Sequence, residues 1–131
     1  FVVVDGAQNG ASAEALKETL LDLFPGKPIT LILGISANKE IDAVCQVLCP
    51  LADKVLVTQA KNVRALPADI LKDYVARTTG AFQMIPSLEE ALASAQADAG
   101  KDDMIVIAGS LYLVGEALAL LQERVQTLSL Q

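Results

Sequence analysis

Met104-Ile105-Val106-Ile107-Ala108-Gly109-Ser110-Leu111-Tyr112-Leu113-Val114-Gly115-Glu116 begins as a short apolar run, largely β-branched, and breaks at a Gly-Ser pair. Apolar residues then recur with helical spacing, so the stretch reads as a buried strand turning at once into a helix. The amino-terminal residues repeat the design, with Phe1-Val2-Val3-Val4 as strand, Asp5-Gly6-Ala7-Gln8-Asn9-Gly10 as turn, and a helix after them. Two such corners fit side by side at the carboxyl edge of a parallel sheet, where ligands of α/β proteins bind.

Between these corners the alternation continues. A helix over residues 12–24 carries Leu16, Leu20, Leu23 and Phe24 on one side and is stopped by Pro25-Gly26. Residues 29–33 read as a second strand ending at Gly34, and Ile41, Val44, Cys45 and Leu48 mark one face of the next helix. A third strand over residues 54–58 opens into the longest loop, residues 59–66. Pro67 then suits a first helical position and Gly80 a helix stop. A weaker strand over residues 82–85 precedes Ser87 and Glu90, which have capping-box spacing, and the helix they begin stops at Gly100. The last helix is expected to reach about Arg124. Five strand–helix units without a linker imply right-handed crossovers and a mainly parallel sheet of five or six strands. The expected fold is a Rossmann-like three-layer α/β sandwich, helices on both faces, with residues 1–131 as a single domain. Strand order is not contained in the pattern.

The totals agree with that reading. A chain of 131 residues accommodates one domain with a proper core. Hydrophobic residues make up 53% and aromatics 4%, so the interior is aliphatic, as in strands buried on both faces. A formal charge of −6 and the lack of a basic cluster exclude a nucleic-acid footprint. The longest apolar stretch is interrupted by Gly109-Ser110 and runs into Glu116, too short for a membrane span. No signal-peptide pattern is present, and a start at Phe1 in mid-strand reads as a piece cut from a longer polypeptide. Cys45 and Cys49 share one helix face in neither a CxxC nor a disulfide pattern, and the chain has no histidine. Buried reduced thiols, no metal site and a cytoplasmic setting are expected.

Loops leaving the first, second, third and fifth strands bring Asp5, Gln8, Asn9, Lys39, Lys61, Asn62, Arg64 and Ser110 to the carboxyl edge. Helix N-termini there offer unpaired N–H groups and a positive dipole end, so an anionic ligand is expected. Plainer readings stand beside this one. Asp5, Asn9 and Ser110 also fit as turn or helix caps. Lys39 and Arg64 also fit as solvated charges, because Lys27, Lys54 and Lys101 occupy the opposite edge. Specific chemistries drop out: the first turn is not G-x-G-x-x-G, and residues 34–39 lack phosphate-loop spacing. Without histidine there is no Ser-His-Asp or Cys-His arrangement.

Four segments are jointly informative: Asp5-Gly6-Ala7-Gln8-Asn9, Gly34 followed by Asn38-Lys39-Glu40, Asn62-Val63-Arg64-Ala65, and Gly109 through Glu116. In order and at their separations they resemble the carboxyl-terminal domain of the folylpolyglutamate synthase/dihydrofolate synthase family of Mur ligases. The Gly-Ser-Leu-Tyr-Leu-Val-Gly-Glu segment is the most specific of them. The resemblance implies an ATP-dependent amide ligase that phosphorylates a folate carboxylate, after which the amino group of glutamate attacks the acyl phosphate. ATP and Mg2+ would be bound mainly by an upstream P-loop ATPase domain of the same polypeptide. The other partners would be folate or dihydropteroate and glutamate, with no nucleic acid and no membrane. The resemblance further implies catalytic roles for Asp5 and Gln8, binding roles for Asn9, Lys39, Arg64 and Ser110, no metal ligand here, and no turnover by this chain alone.

One departure bears on mechanism. The family motif is Asp-Gly-Ala-His-Asn-Pro, whereas Gln8 and Gly10 stand at the histidine and proline positions. Glutamine donates and accepts hydrogen bonds but cannot titrate or become a cation near neutral pH. Gln8 is the feature that favours the alternative, a noncatalytic Rossmann-like ligand-binding or interaction module; a Mur-type ligase acting on another carboxylate is a nearer relative. A receiver domain would need further carboxylates beside Asp5, and none sits at a strand end. The ligase reading requires the first and last corners to be neighbours.

Overall fold

All six residues of the strand Met104–Gly109 are buried, because it lies inside a sheet covered on both faces. The computed structural model describes residues 1–129, with side chains as far as Glu123. Along it run β1 (Val2–Asp5), α1 (Gly10–Leu23), β2 (Ile29–Gly34), α2 (Ile41–Leu48), β3 (Lys54–Val57), α3 (Ala68–Ala76), β4 (Phe82–Met84), α4 (Leu88–Asp98), β5 (Met104–Gly109) and α5 (Leu111–Ser129). The strand order is β1-β5-β2-β3-β4, and every neighbouring pair is parallel.

Alternate residues of each strand serve opposite layers, as the two-residue period of a strand requires. Leu31, Leu33, Val55, Val57, Val106 and Ala108 pack beneath α1, α2 and α3, through Leu16, Val44 and Leu71 among others. Ile32, Leu56, Ile105 and Ile107 pack beneath Leu92 of α4 and Leu113 of α5. Each such buried Leu or Ile contributes about 1.5–3 kcal/mol of transfer free energy. The result is the expected three-layer α/β sandwich, with five strands.

The order of strands follows from one crossover hand. Connections from β1 to β2, β3 and β4 step in one direction with α1–α3 on one face, while β4 to β5 steps back with α4 on the other. Reversing direction at constant hand moves the helix to the opposite face. β5 therefore sends its helix to one side while both neighbours, β1 and β2, send theirs to the other. Its carboxyl end is a topological switch point, where the diverging helices leave a crevice.

Element ends differ slightly from expectation. Pro67 caps α3 rather than opening it, and α3 ends at Ala76, short of Gly80. The Thr78 and Thr79 N–H groups both donate to the Val75 carbonyl, at 2.9 and 3.1 Å, with Thr78 Oγ1 adding a third bond, so the last turn closes on itself before Gly80. The last helix passes Arg124 and continues to Ser129. At the Pro25-Gly26 stop, Gly26 takes φ 73°, a left-handed turn two residues past the C-cap Phe24 of α1. Cys45 and Cys49 are buried free thiols. Their mutual hydrogen bond, and then burial, push the Cys45 thiol upward, so it stays protonated and unreactive.

Candidate functional site

Gly34 and Gly109 face each other in register at the ends of β2 and β5. Gly109 has φ 121°, and a Cβ there would run into the Gly34 carbonyl oxygen. That oxygen accepts from the Ser110 N–H at 2.7 Å, which draws the start of α5 tightly over the sheet. Ser110 is consequently only 1% exposed. Its Oγ accepts from the Tyr112 N–H at 3.1 Å and lies 3.4 Å from the Ser36 hydroxyl that donates to it. The capping reading of Ser110 describes this geometry, and the hydroxyl lies under the floor of the crevice instead of on its rim.

The first corner is adjacent, since Asp5 pairs with Ala108. Asn9 caps α1: its Oδ1 accepts from the Ser12 N–H at 2.7 Å and from the Ser12 hydroxyl at 2.8 Å, and its own N–H donates to Ser12 Oγ at 3.2 Å. The Gly10 N–H, next in line, donates to Glu40 Oε1 at 3.0 Å. The expectation of unpaired N–H groups awaiting an anion therefore needs correcting at α1. An internal carboxylate already occupies that seat, because a charged side chain within reach satisfies the dipole without a ligand.

The loops after β2 and β3 are zipped together. Ser36 and Ala65 form an isolated antiparallel bridge, with Ala37 N–H donating to Arg64 O at 2.8 Å and Leu66 N–H to Ile35 O at 2.9 Å. Asn62 Oδ1 accepts from the Arg64 N–H at 2.8 Å, which fixes the turn that presents the guanidinium. Arg64 is thereby held beside Lys39, and both side chains are exposed.

These loops enclose a depression of two lobes. One, of about 370 Å³, is lined by Gly6, Gln8, Asn9, Ser12, Asn38, Lys39, Glu40 and Leu111. The other, of about 410 Å³, is lined by Gln8, Ser36, Asn38, Lys39, Arg64, Leu111 and Tyr112. Gln8, Asn38, Lys39 and Leu111 line both, so the lobes are continuous. Gln8 Oε1 is buried and, among the described residues, has no hydrogen-bond partner. An unsatisfied buried carbonyl oxygen costs about 1–3 kcal/mol, which a ligand N–H would relieve.

Of the residues singled out in the sequence, Gln8, Asn9, Lys39 and Arg64 converge on the depression. Asp5 ends β1 behind Gln8 and lines neither lobe. Burial raises its carboxyl pKa above the ordinary range, and an Ala7 N–H offsets part of that rise. Asn38, Glu40, Leu111 and Tyr112 stand in the segments that carry the resemblance but were not expected to line the site. Leu111 and Tyr112 carried a signal: two large residues opening α5, 66% and 44% exposed, are adjacent in sequence and too far apart around a helix to share one buried face. Among the described residues no three His, Cys, Asp or Glu side chains come together as a metal site.

The family model for the Mur ligase, glutamate ligase domain matches residues 1–111. The dihydrofolate synthetase of Saccharomyces cerevisiae is 30% identical over 133 residues, spanning 89% of this chain and 30% of that protein. A probable bifunctional folylpolyglutamate synthase/dihydropteroate synthase of Halobacterium salinarum is 32% identical over 117 residues, spanning 88% of this chain and 14% of its own length. Among solved structures, the Mycobacterium tuberculosis folylpolyglutamate synthase complexed with ADP and AMPPCP superposes with TM-score 0.80 at 30% identity, over 91% of this chain and 29% of that one. E. coli FolC in complex with DHPP and ADP shares the fold at TM-score 0.85 and 23% identity, over 94% of this chain and 29% of that one. The chain thus spans 30% or less of each of these proteins. With its sheet, its switch-point crevice and these likenesses in agreement, the chain belongs to the Mur ligase family, as a glutamate ligase domain of the folylpolyglutamate/dihydrofolate synthase type.

Proposed function

We propose that this chain is the carboxyl-terminal closing domain of an ATP-dependent ligase that adds glutamate to folate or dihydropteroate through an acyl phosphate. The observation that carries the proposal is the two-lobed depression at the switch point, with Lys39 and Arg64 on its rim and the buried Gln8 Oε1 between the lobes. That combination suits an amino acid: the cations take carboxylates, and the orphaned oxygen takes an amine N–H. In the reaction, a carboxylate oxygen of the pterin substrate attacks the terminal phosphorus of ATP and ADP leaves. The glutamate nitrogen then attacks the acyl carbon, and phosphate departs with the C–O bond electrons.

ATP itself is assigned mainly to the upstream P-loop domain of the same polypeptide, and Mg2+ with it, because the described residues bring no acidic cluster together. No step on this wall runs through the metal. Lys39 and Arg64 supply positive charge at the closing edge, Asn9 sets the start of α1, and closure excludes the water that would hydrolyse an acyl phosphate. Alone, the chain is one wall of a site and should be inactive. A cytoplasmic location belongs to the same proposal; no described helix is long and apolar enough to cross a membrane.

Phosphate release by the complete enzyme tests the reading. Glutamate-dependent release with dihydropteroate, a reduced folate or both is the expected result, and no release with any pterin acid would sink it. Because Gln8 cannot titrate, this corner should add no ionisation of its own in the histidine range. Gln8→His should keep or raise kcat and introduce a dependence near pH about 6.5. Loss of activity in that variant would show that the corner has diverged from a histidine-compatible geometry.

A further inference from the structure

We infer that Glu40 is a positioning residue, a strut that fixes the distance between Gln8 and Lys39; the inference rests on the ligase reading above. Glu40 stands at the N-cap of α2, yet its side chain makes no capping bond to its own helix. It reaches instead to α1, where Oε1 accepts from the N–H of Gly10, 30 residues away, at 3.0 Å. Its own N–H donates to the Gln8 carbonyl at 3.2 Å, and its carbonyl accepts from the Val44 N–H at 3.1 Å. One residue therefore ties both ends of the segment from Gln8 to Gly10 to the loop that carries Lys39.

Charge explains why a carboxylate holds this post. The first turn of α1 contains no acidic residue of its own, so beside the neutral Asn9 cap its dipole meets the Glu40 carboxylate from the neighbouring α2. α2 has Asp42 in its first turn and does not need Glu40 for that purpose. The two loops are packed against each other at this point: a Cβ at Gly10 would meet Glu40 Oε1 at 3.7 Å and the Ala43 side chain at 3.6 Å, both ordinary van der Waals contacts. Since Gln8 and Lys39 both line both lobes, releasing this tie changes the spacing of the groups that meet the ligand.

The test uses the full-length enzyme, with Glu40→Ala and Glu40→Gln compared in glutamate-dependent phosphate release and in amide hydrogen exchange over residues 8–12. Glu40→Ala should lower kcat/KM by about tenfold or more, as misplacement of a substrate-positioning group does. Exchange at the Gly10 amide should quicken about tenfold, since its acceptor is gone. Glu40→Gln keeps an oxygen acceptor but not the charge and should recover part of the lost rate, with the melting temperatures of both variants close to the parent. Unchanged kinetics in Glu40→Ala, equal losses in both variants, or unaltered Gly10 exchange would each overturn the strut. A parent enzyme that releases no phosphate at all would refute the ligase reading instead, and the exchange experiment would still decide whether Glu40 couples the two loops.

Discussion

Gly109→Ala should destabilise the 131-residue chain by about 3–5 kcal/mol, a large part of the stability of an ordinary domain. Two penalties act together. The residue holds φ 121°, a region that L side chains rarely enter, and the new methyl would press into the Gly34 carbonyl. The backbone there cannot yield, because Gly34 O accepts the Ser110 N–H and Gly34 is itself in register with Gly109. Gly115, six residues on, supplies the contrast. Beyond its chain neighbours and its own helix backbone, nothing lies within 4 Å of a Cβ built there, and the residue is exposed within α5. Gly115→Ala should therefore stabilise the chain by about 0.5–1 kcal/mol. Urea unfolding of the two variants checks both signs; a Gly109→Ala midpoint within error of the parent would mean the corner is not built as described.

Asp5→Asn in the full-length enzyme should lower turnover by about a hundredfold or more and, at neutral pH, make this domain more stable. The two effects share a cause. Burial raises the Asp5 carboxyl pKa, so the ionised form is held at a cost that structure alone does not recover. A charge held at such a cost behind Gln8 is what the proposed role of Asp5 would require. A raised folded-state pKa gives its stability fully below the unfolded value, about 3.9, and loses it as pH rises through the folded value. The variant should accordingly gain over the parent only above the ordinary carboxylate range, and the two unfolding curves should merge in acid. Asparagine still accepts from the Ala7 N–H, so that contact is preserved. Unaltered steady-state kinetics would remove Asp5 from the site, and equal stability at every pH would remove the buried-charge argument.

The strand–helix alternation, the buried character of β5 and the thiols of Cys45 and Cys49 were all legible, because each is written in neighbouring residues with a period of two or of about 3.6. The capping of α4 is of the same kind: Ser87 Oγ accepts from the Glu90 N–H at 3.3 Å, three residues away. The end of α3 was misjudged for a related reason. Where the backbone of the last turn tightens onto the Val75 carbonyl is set by its surroundings, and only the structure shows that this happens before Gly80.

What the sequence by itself determined is therefore the set of elements, the α/β class and, through four short segments, the family. Tertiary structure alone decided that β1 and β5 are neighbours, that Ser110 lies beneath the crevice, and that Glu40 fills the α1 N-terminus. The physical reason is range. A helix or strand is selected by interactions within a few residues, whereas Ser36 meets Ser110 at a separation of 74 and Gly10 meets Glu40 at 30. Contacts of that kind exist only once the crossovers have brought the strand ends together, and no local period encodes them.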